Sequence, residues 1–261
     1  MLLWTRSSRA LVLGFFALVV GVVFAAPIAT VVAAALAGSW TGPLPSDLGT
    51  KNFSAALSDA NFSSLTVSLQ TAFISGALAL VVGTWAALAA RESPMWLRRI
   101  TDTVFHLPIA VPSVAIGLGL LITFNERPIL LGGTKWIVIL AHTVLVLAFA
   151  FSSVTAALER LDPAYRQAAE SLGASPFRVL TRITLPLLLP ALGAAAGLSI
   201  ALSMGELGAT VMVYPATWKT LPVSIFGLTD RGQVFLAAAN TTLLLAVTLV
   251  ALMVVGRIRR R

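Results

Sequence analysis

Six apolar stretches, each near the roughly 20 residues that a helix needs to cross the hydrocarbon core of a bilayer, dictate what this chain can become. They run approximately over residues 11–37, 65–90, 104–124, 136–157, 187–207 and 234–256. Hydrophobic residues make up 58% of the 261 and charged residues 11%. A soluble globular chain has roughly 45–50% apolar and about 25% charged residues. No water-soluble core hides that much apolar surface, so the expectation is an all-α membrane protein with residues 1–261 forming a single domain.

The first stretch has Arg6 and Arg9 ahead of it and small residues before Pro27, as a signal peptide would. Its apolar run continues to Ala37, longer than a usual signal core, and it is expected to remain as an uncleaved span. The longest loop, residues 38–64, carries Gly42, Pro43 and Pro45 and reads as irregular chain. In the third stretch Pro108 and Pro112 each free a carbonyl four residues earlier and predict a kink, either opening a cavity or serving packing alone.

Net charge is +8, and its placement matters more than its size. With the N-terminus inside, the basic residues on the cytoplasmic side are Arg6, Arg9, Arg91, Arg98, Arg99, Arg160, Arg166, Arg178, Arg182, Arg257, Arg259, Arg260 and Arg261. The opposite side holds Lys51, Arg127, Lys135, Lys219 and Arg231. The positive-inside rule therefore predicts that both termini and residues 162–186 are cytoplasmic, and with the basic residues spread among span ends nucleic-acid binding is not expected. Trp4, Trp40, Trp96, Trp136 and Trp218 fall near span ends, as an aromatic belt requires. Trp85 falls inside the second span, where internal packing is the expectation.

Residues 162–186, DPAYRQAAESLGASPFRVLTRITLP, form a polar segment between two spans. Asp162 is placed to cap a helix with Pro163 at its first position, and Gly173 to close that helix in the left-handed conformation. Ser175 and Pro176 repeat the start signal, and Pro186 is expected to end the second helix. Two short helices meeting at a tight bend would face the cytoplasm, where a soluble partner can dock.

Several chemistries are poorly supported. Gly132, Gly133, Thr134 and Lys135 lack the spacing of a phosphate-binding loop, so this chain is not expected to hydrolyse ATP. The absence of Cys removes disulfides and thiolate catalysis. His106 and His142 have no carboxylate nearby at metal-ligand spacing, and a packed, hydrogen-bonded imidazole is the expectation for both. No Ser-His-Asp arrangement can be assembled. The chain is expected to be neither an enzyme nor a holder of cofactor or metal.

The hairpin then carries a resemblance. Gln167-Ala168-Ala169, Gly173 four residues beyond the second Ala, Ile183 and Leu185-Pro186 match the EAA---G---------I-LP loop of permease subunits in binding-protein-dependent ABC importers. Gln167 departs from the Glu of that motif, and Glu170 lies about one turn further along the same helix. With six spans, the chain resembles the type I importer permease fold, and the hairpin resembles its cytoplasmic coupling helix. The resemblance implies docking on an ATP-hydrolysing subunit through Tyr165, Gln167, Ala168, Ala169, Glu170, Gly173, Ala174, Phe177, Ile183 and Pro186. Tyr165, Leu172, Phe177 and Leu180 would supply apolar anchors, and Arg166, Arg178 and Arg182 a polar rim. The competing reading is an amphipathic loop lying on its own bundle or on lipid headgroups.

The resemblance further implies a bacterial inner-membrane protein working with an ATPase dimer that holds ATP and Mg. A second permease, identical or paralogous, and an extracytoplasmic solute-binding protein complete the expected set. The expected mechanism is alternating access, in which closure of the ATPase pair rocks the hairpins and opens the path outward.

Residues 203–222 contain Glu206 between Gly205 and Gly208. A carboxylate near hydrocarbon costs about 2.5–3.5 kcal/mol on insertion scales unless it faces protein, water or the interface. It belongs either to the translocation path or its gate, together with Gly205 and Gly208, or to a solvated span end. Gly205 to Thr210 and Tyr214 to Pro222 resemble permeases for oxyanions and, most closely, for 2-aminoethylphosphonate. Lys219 and Arg231 suit either an anionic ligand or ordinary loop charge. Molybdate, sulfate, ferric iron, thiamine and polyamine remain alternative solutes, and a secondary transporter driven by an ion gradient is the alternative class.

Overall fold

The computed structural model describes residues 6–258, so Trp4 of the expected aromatic belt and Arg259, Arg260 and Arg261 of the basic count lie outside the described residues. Among those described, the regular elements are helices and one isolated antiparallel bridge between Ser39 and Ser46. In chain order the helices are α1 (Arg6–Val20), α2 (Ala26–Leu36), α3 (Lys51–Ala56), α4 (Asp59–Arg91), α5 (Met95–Ala110), α6 (Ser113–Thr123) and α7 (Lys135–Glu159). They continue with α8 (Pro163–Ser171), α9 (Pro176–Val179), α10 (Leu185–Met204), α11 (Gly208–Val213), α12 (Leu221–Asp230) and α13 (Val234–Ile258). Two compact units emerge, one taking the chain to Phe62 with Ser224–Leu243, the other taking Ser63–Val223 with the chain from Leu244.

Five helical stretches are long and apolar enough to cross a membrane: Arg6–Leu36, Asn61–Arg91, Lys135–Glu159, Pro176–Met204 and Val234–Arg257. A sixth is bent. The expected single span over residues 104–124 is instead two helices, α5 and α6, which meet at 106° across Val111 and Pro112. Val111 is extended, the conformation that the ring of a following proline imposes. Pro108 stays inside α5, so the break belongs to Pro112.

Two other prolines are accommodated rather than disruptive. Gly21–Ala25 and Leu180–Thr184 are π-helical turns, and each ends two residues before a proline, Pro27 and Pro186 respectively. The Ala26 N–H donates to the Gly21 carbonyl, and the Leu185 N–H to the Leu180 carbonyl, five residues back in each case. Widening the turn moves aside the carbonyl that the ring would strike and absorbs the missing donor. Pro186 therefore does not end the second hairpin helix, contrary to expectation, and Pro176–Met204 runs on as one 29-residue span.

In the unit containing α7, that helix is central. Ile137, Val138, Ala141, Val146, Ala150, Phe151, Val154 and Leu158 are all buried along it. Phe151 and Leu158 pack with Ala87 of α4 and Leu188 of α10, while Ile137, Val138 and Ala141 pack with Ala209 and Val213 of α11. Gly83 lets α4 approach α7 closely, since a Cβ there would stand 3.0 Å from the Phe151 nitrogen. In a bilayer such small-residue contacts drive helix association, because lipid is as apolar as the side chains. Trp85, expected to pack internally, is 73% exposed. It lies on the face of α4 away from Gly83 and Ala87, which are the positions turned to α7.

The other unit has a small alanine core. Ala34, Ala35, Ala56, Ala238 and Ala239 cluster with Trp40 and Phe53 packed against them. Asn52 of α3 donates its side-chain N–H groups to the Ala35 and Ala37 carbonyls at 3.1 and 2.8 Å, satisfying backbone acceptors left over at the end of α2. The 38–64 loop thus contains a folded helical turn, where irregular chain was expected. Upstream, α1 buries no residue, and Leu11, Phe15 and Phe16 are exposed, as a helix surrounded by lipid would show.

Candidate functional site

The hairpin follows from local chemistry. The Asp162 carboxylate accepts the Ala164 N–H at 2.9 Å, with Pro163 opening α8. At the far end Gly173 adopts φ +78°, its N–H donating to the Glu170 carbonyl and the Ala174 N–H to that of Ala169, both at 3.0 Å. This reversal requires the left-handed region, where a β-carbon is penalised. Ser175 precedes α9 in extended conformation, but its side chain makes no cap; only its carbonyl is used, accepting from the Val179 N–H at 3.0 Å.

The hairpin's outer surface is apolar at three points, with Tyr165, Leu172 and Phe177 exposed by 58, 89 and 74%. Gln167, Ala168, Glu170, Gly173 and Pro186 are exposed as well, whereas Ala169, Ala174 and Ile183 are half-buried. Beneath lies a cavity of about 340 Å³ lined in part by Glu92, Tyr165, Arg166, Glu170, Val179 and Ile183. Arg166 is not a free rim charge. Its guanidinium donates to Glu170 at 2.7 Å and to Glu92 in the turn between α4 and α5. Those two carboxylates, Glu170 foremost, raise its pKa, so its charge persists to higher pH than usual and the attraction is lost only above that point. Arg98 of α5 similarly pairs with Glu159 at the end of α7. Neither long-range pair has a sequence signal beyond the charges themselves, whereas Arg166 and Glu170 stand at the i, i+4 spacing of a helical ion pair that was not read from the sequence.

A second polar constellation lies within the spans. His142 of α7 is buried, with Nδ1 2.7 Å from the Ser203 hydroxyl and Nε2 2.8 Å from that of Thr210. Ser203 also lies 3.2 Å from the Ser75 hydroxyl. The chain Ser75–Ser203–His142–Thr210 thus joins α4, α10, α7 and α11, and buried polar groups in hydrocarbon require such partners. His142 meets its expectation. His106 is hydrogen-bonded, to the Asp102 carbonyl and the Ser152 hydroxyl at 2.7 Å each, and its ring meets the buried Phe151 edge-on with centroids 5.8 Å apart, although the residue is exposed rather than buried.

Gly205 caps the end of α10, after which the chain breaks and re-enters as the short α11. Glu206 is half-buried at that break, and its Oε1 accepts the Ala209 N–H at 2.7 Å. Gly208 sits against Ser113 and Val114 at the start of α6, and a Cβ on Gly117 would stand 2.6 Å from the Ala209 carbonyl oxygen. The break of α10 and the break of α5/α6 are therefore in contact, a juxtaposition that sequence reasoning missed. Lys135 stands 5.3 Å from the ring centres of both Trp136 and Trp218, a cation–π bracket at the start of α7. Lys219 is half-buried, and Arg231 donates to the carbonyl of Gly227 at 2.9 Å.

Five helical stretches long and apolar enough to cross a membrane, a sharply bent apolar helix pair and a capped polar hairpin together describe a multi-pass membrane protein. The chain belongs to the family of binding-protein-dependent transport system inner membrane components, whose model matches residues 79–261. It is an ABC importer permease of the bacterial inner membrane, not itself an enzyme, and such subunits carry no cofactor. It is 45% identical over 262 aligned residues to PhnV of Salmonella paratyphi A, a permease named for a 2-aminoethylphosphonate transport system, covering 100% of this chain and 98% of that one. It is 27% identical to YvgM of Bacillus subtilis, named for molybdenum transport, over 75% of this chain and 89% of the relative. Its fold matches a bacterial ABC transporter for alginate import with a TM-score of 0.79 at 18% identity, covering 99% of this chain and 98% of that one.

Proposed function

We propose that this permease forms half of the translocation path of an ATP-driven importer for 2-aminoethylphosphonate or a related phosphonate. The observation that carries the solute class is the full-length 45% identity to a permease named for that solute. Both termini and the hairpin face the cytoplasm in this reading, as the basic residues favour. The hairpin is the coupling element, with Tyr165, Gln167, Ala168, Ala169, Glu170, Gly173, Ala174, Phe177, Ile183 and Pro186 meeting an ATPase dimer. Exposed Tyr165, Leu172 and Phe177 are the anchors, and Ala168 and Gly173 allow close approach. A solute-binding protein delivers from the outer side, and a second permease completes the path. Gly205, Glu206 and Gly208 lie on that path or its gate.

Uptake of radiolabelled 2-aminoethylphosphonate by cells lacking other phosphonate uptake, supplied with the permease, its ATPase and its receptor, tests the solute. Uptake of molybdate instead would favour the runner-up, which the YvgM similarity supports. Crosslinking from Ala168→Cys or Ser175→Cys tests the hairpin: capture of the ATPase supports the assignment, and its consistent absence overturns it.

A further inference from the structure

Two interruptions of membrane helix open on one cavity of about 240 Å³. Pro108, Val111 and Ser113 bring the α5/α6 break to its wall, Ser203 and Glu206 bring the end of α10, and His142 lines it from α7. His142 is seven residues into α7 from Lys135. At a rise of roughly 1.5 Å per residue that is about 10 Å below the end of the span, within the hydrocarbon depth. Irregular backbone persists at such depth only where it is buried in protein or lines a cavity.

Glu206 reaches this cavity without a countercharge. One oxygen accepts the Ala209 N–H, and among the described residues no Lys or Arg forms an ion pair with it. Both nitrogens of His142 are already engaged by Ser203 and Thr210. Glu206 stands two residues beyond the end of the Pro176–Met204 span, half-buried on the cavity wall, where a cationic group of a ligand can meet its carboxylate. A pure oxyanion such as molybdate or sulfate is repelled by it, whereas an aminophosphonate carries an ammonium group at the end opposite its phosphonate.

We propose that this cavity is a solute subsite in which the Glu206 carboxylate accepts hydrogen bonds from the ammonium end of an aminophosphonate, with the Ser113 hydroxyl as a neighbouring acceptor. The inference rests on the solute class proposed above and makes Glu206 a specificity-determining residue. Glu206→Gln isolates the charge, since the amide oxygen still accepts the Ala209 N–H. The test compares wild type, Glu206→Gln and Glu206→Asp in the complete importer with its receptor, measuring 2-aminoethylphosphonate uptake, permease level in the membrane and the thermal midpoint of the purified complex. The expected result is a loss of uptake of about tenfold or more in Glu206→Gln, partial recovery in Glu206→Asp, and unchanged membrane level and thermal midpoint. Wild-type uptake matched by Glu206→Gln overturns this inference alone. Parallel loss of membrane level or a lowered thermal midpoint makes Glu206 a structural cap and also overturns it. Absence of uptake by the wild type removes the solute class itself, and the inference with it.

Discussion

Arg166 of the first hairpin helix reaches Glu92, 74 residues earlier in the chain, and so fastens the hairpin to the turn that ends a membrane span. Both side chains are about half exposed, so the pair contributes little to stability, about 1 kcal/mol at most. Its effect is on position. Arg166→Glu is expected to lower the thermal midpoint of the purified complex by no more than a few degrees while reducing uptake severalfold. Combining it with Glu92→Arg should restore much of that uptake, and failure of the double reversal would separate the pair from coupling.

Gly173→Val places a branched side chain at φ +78°, where L-residues are strained. The altered bend should uncouple ATP hydrolysis from uptake without preventing insertion. Membrane level, ATP hydrolysis and uptake measured together check this, and wild-type transport would refute it.

His142→Ala leaves the Ser203 and Thr210 hydroxyls without their imidazole partner and opens a void between α7, α10 and α11. The expected cost is roughly 1–2 kcal/mol, the scale of interhelical hydrogen bonds in membranes, read as a lower thermal midpoint in detergent or nanodiscs. His142→Asn, which keeps a donor and an acceptor, should lose less.

Gly117→Val would drive a β-carbon to 2.6 Å from the Ala209 carbonyl oxygen, where backbone has to move. We expect α11 to be pushed from α6 and uptake to fall to background. The same substitution at Gly119, whose β-carbon position is open, should be tolerated far better in the same uptake assay.

The parts of this molecule that were legible in its sequence are those whose causes are local. Asp162, Pro163 and Gly173 set the ends of α8 by capping and backbone preference, and five of the six apolar runs announced spans because length and apolarity together decide whether a helix can cross. Pro112 marked a weak point, but a 106° bend depends on what α6 packs against, chiefly α11, which is remote in sequence. Pro186 misled because the compensating π turn at Leu180–Thr184 has no distinct residue signature. Trp85 misled because a lipid-facing position and a packed one demand the same apolar side chain. For the candidate sites, the hairpin motif and Glu206 stood out as residues, while Arg166–Glu92 and the meeting of two helix breaks arise only from contacts through space.

The hydroxyl and imidazole groups of Ser75, Ser203, His142 and Thr210 link four helices through buried side chains, with His142 and Ser203 at the cavity wall. That block should travel as a rigid piece during each transport stroke. Any yielding is then expected at its margins, above all at the break of Val111 and Pro112, rather than among the four linked helices.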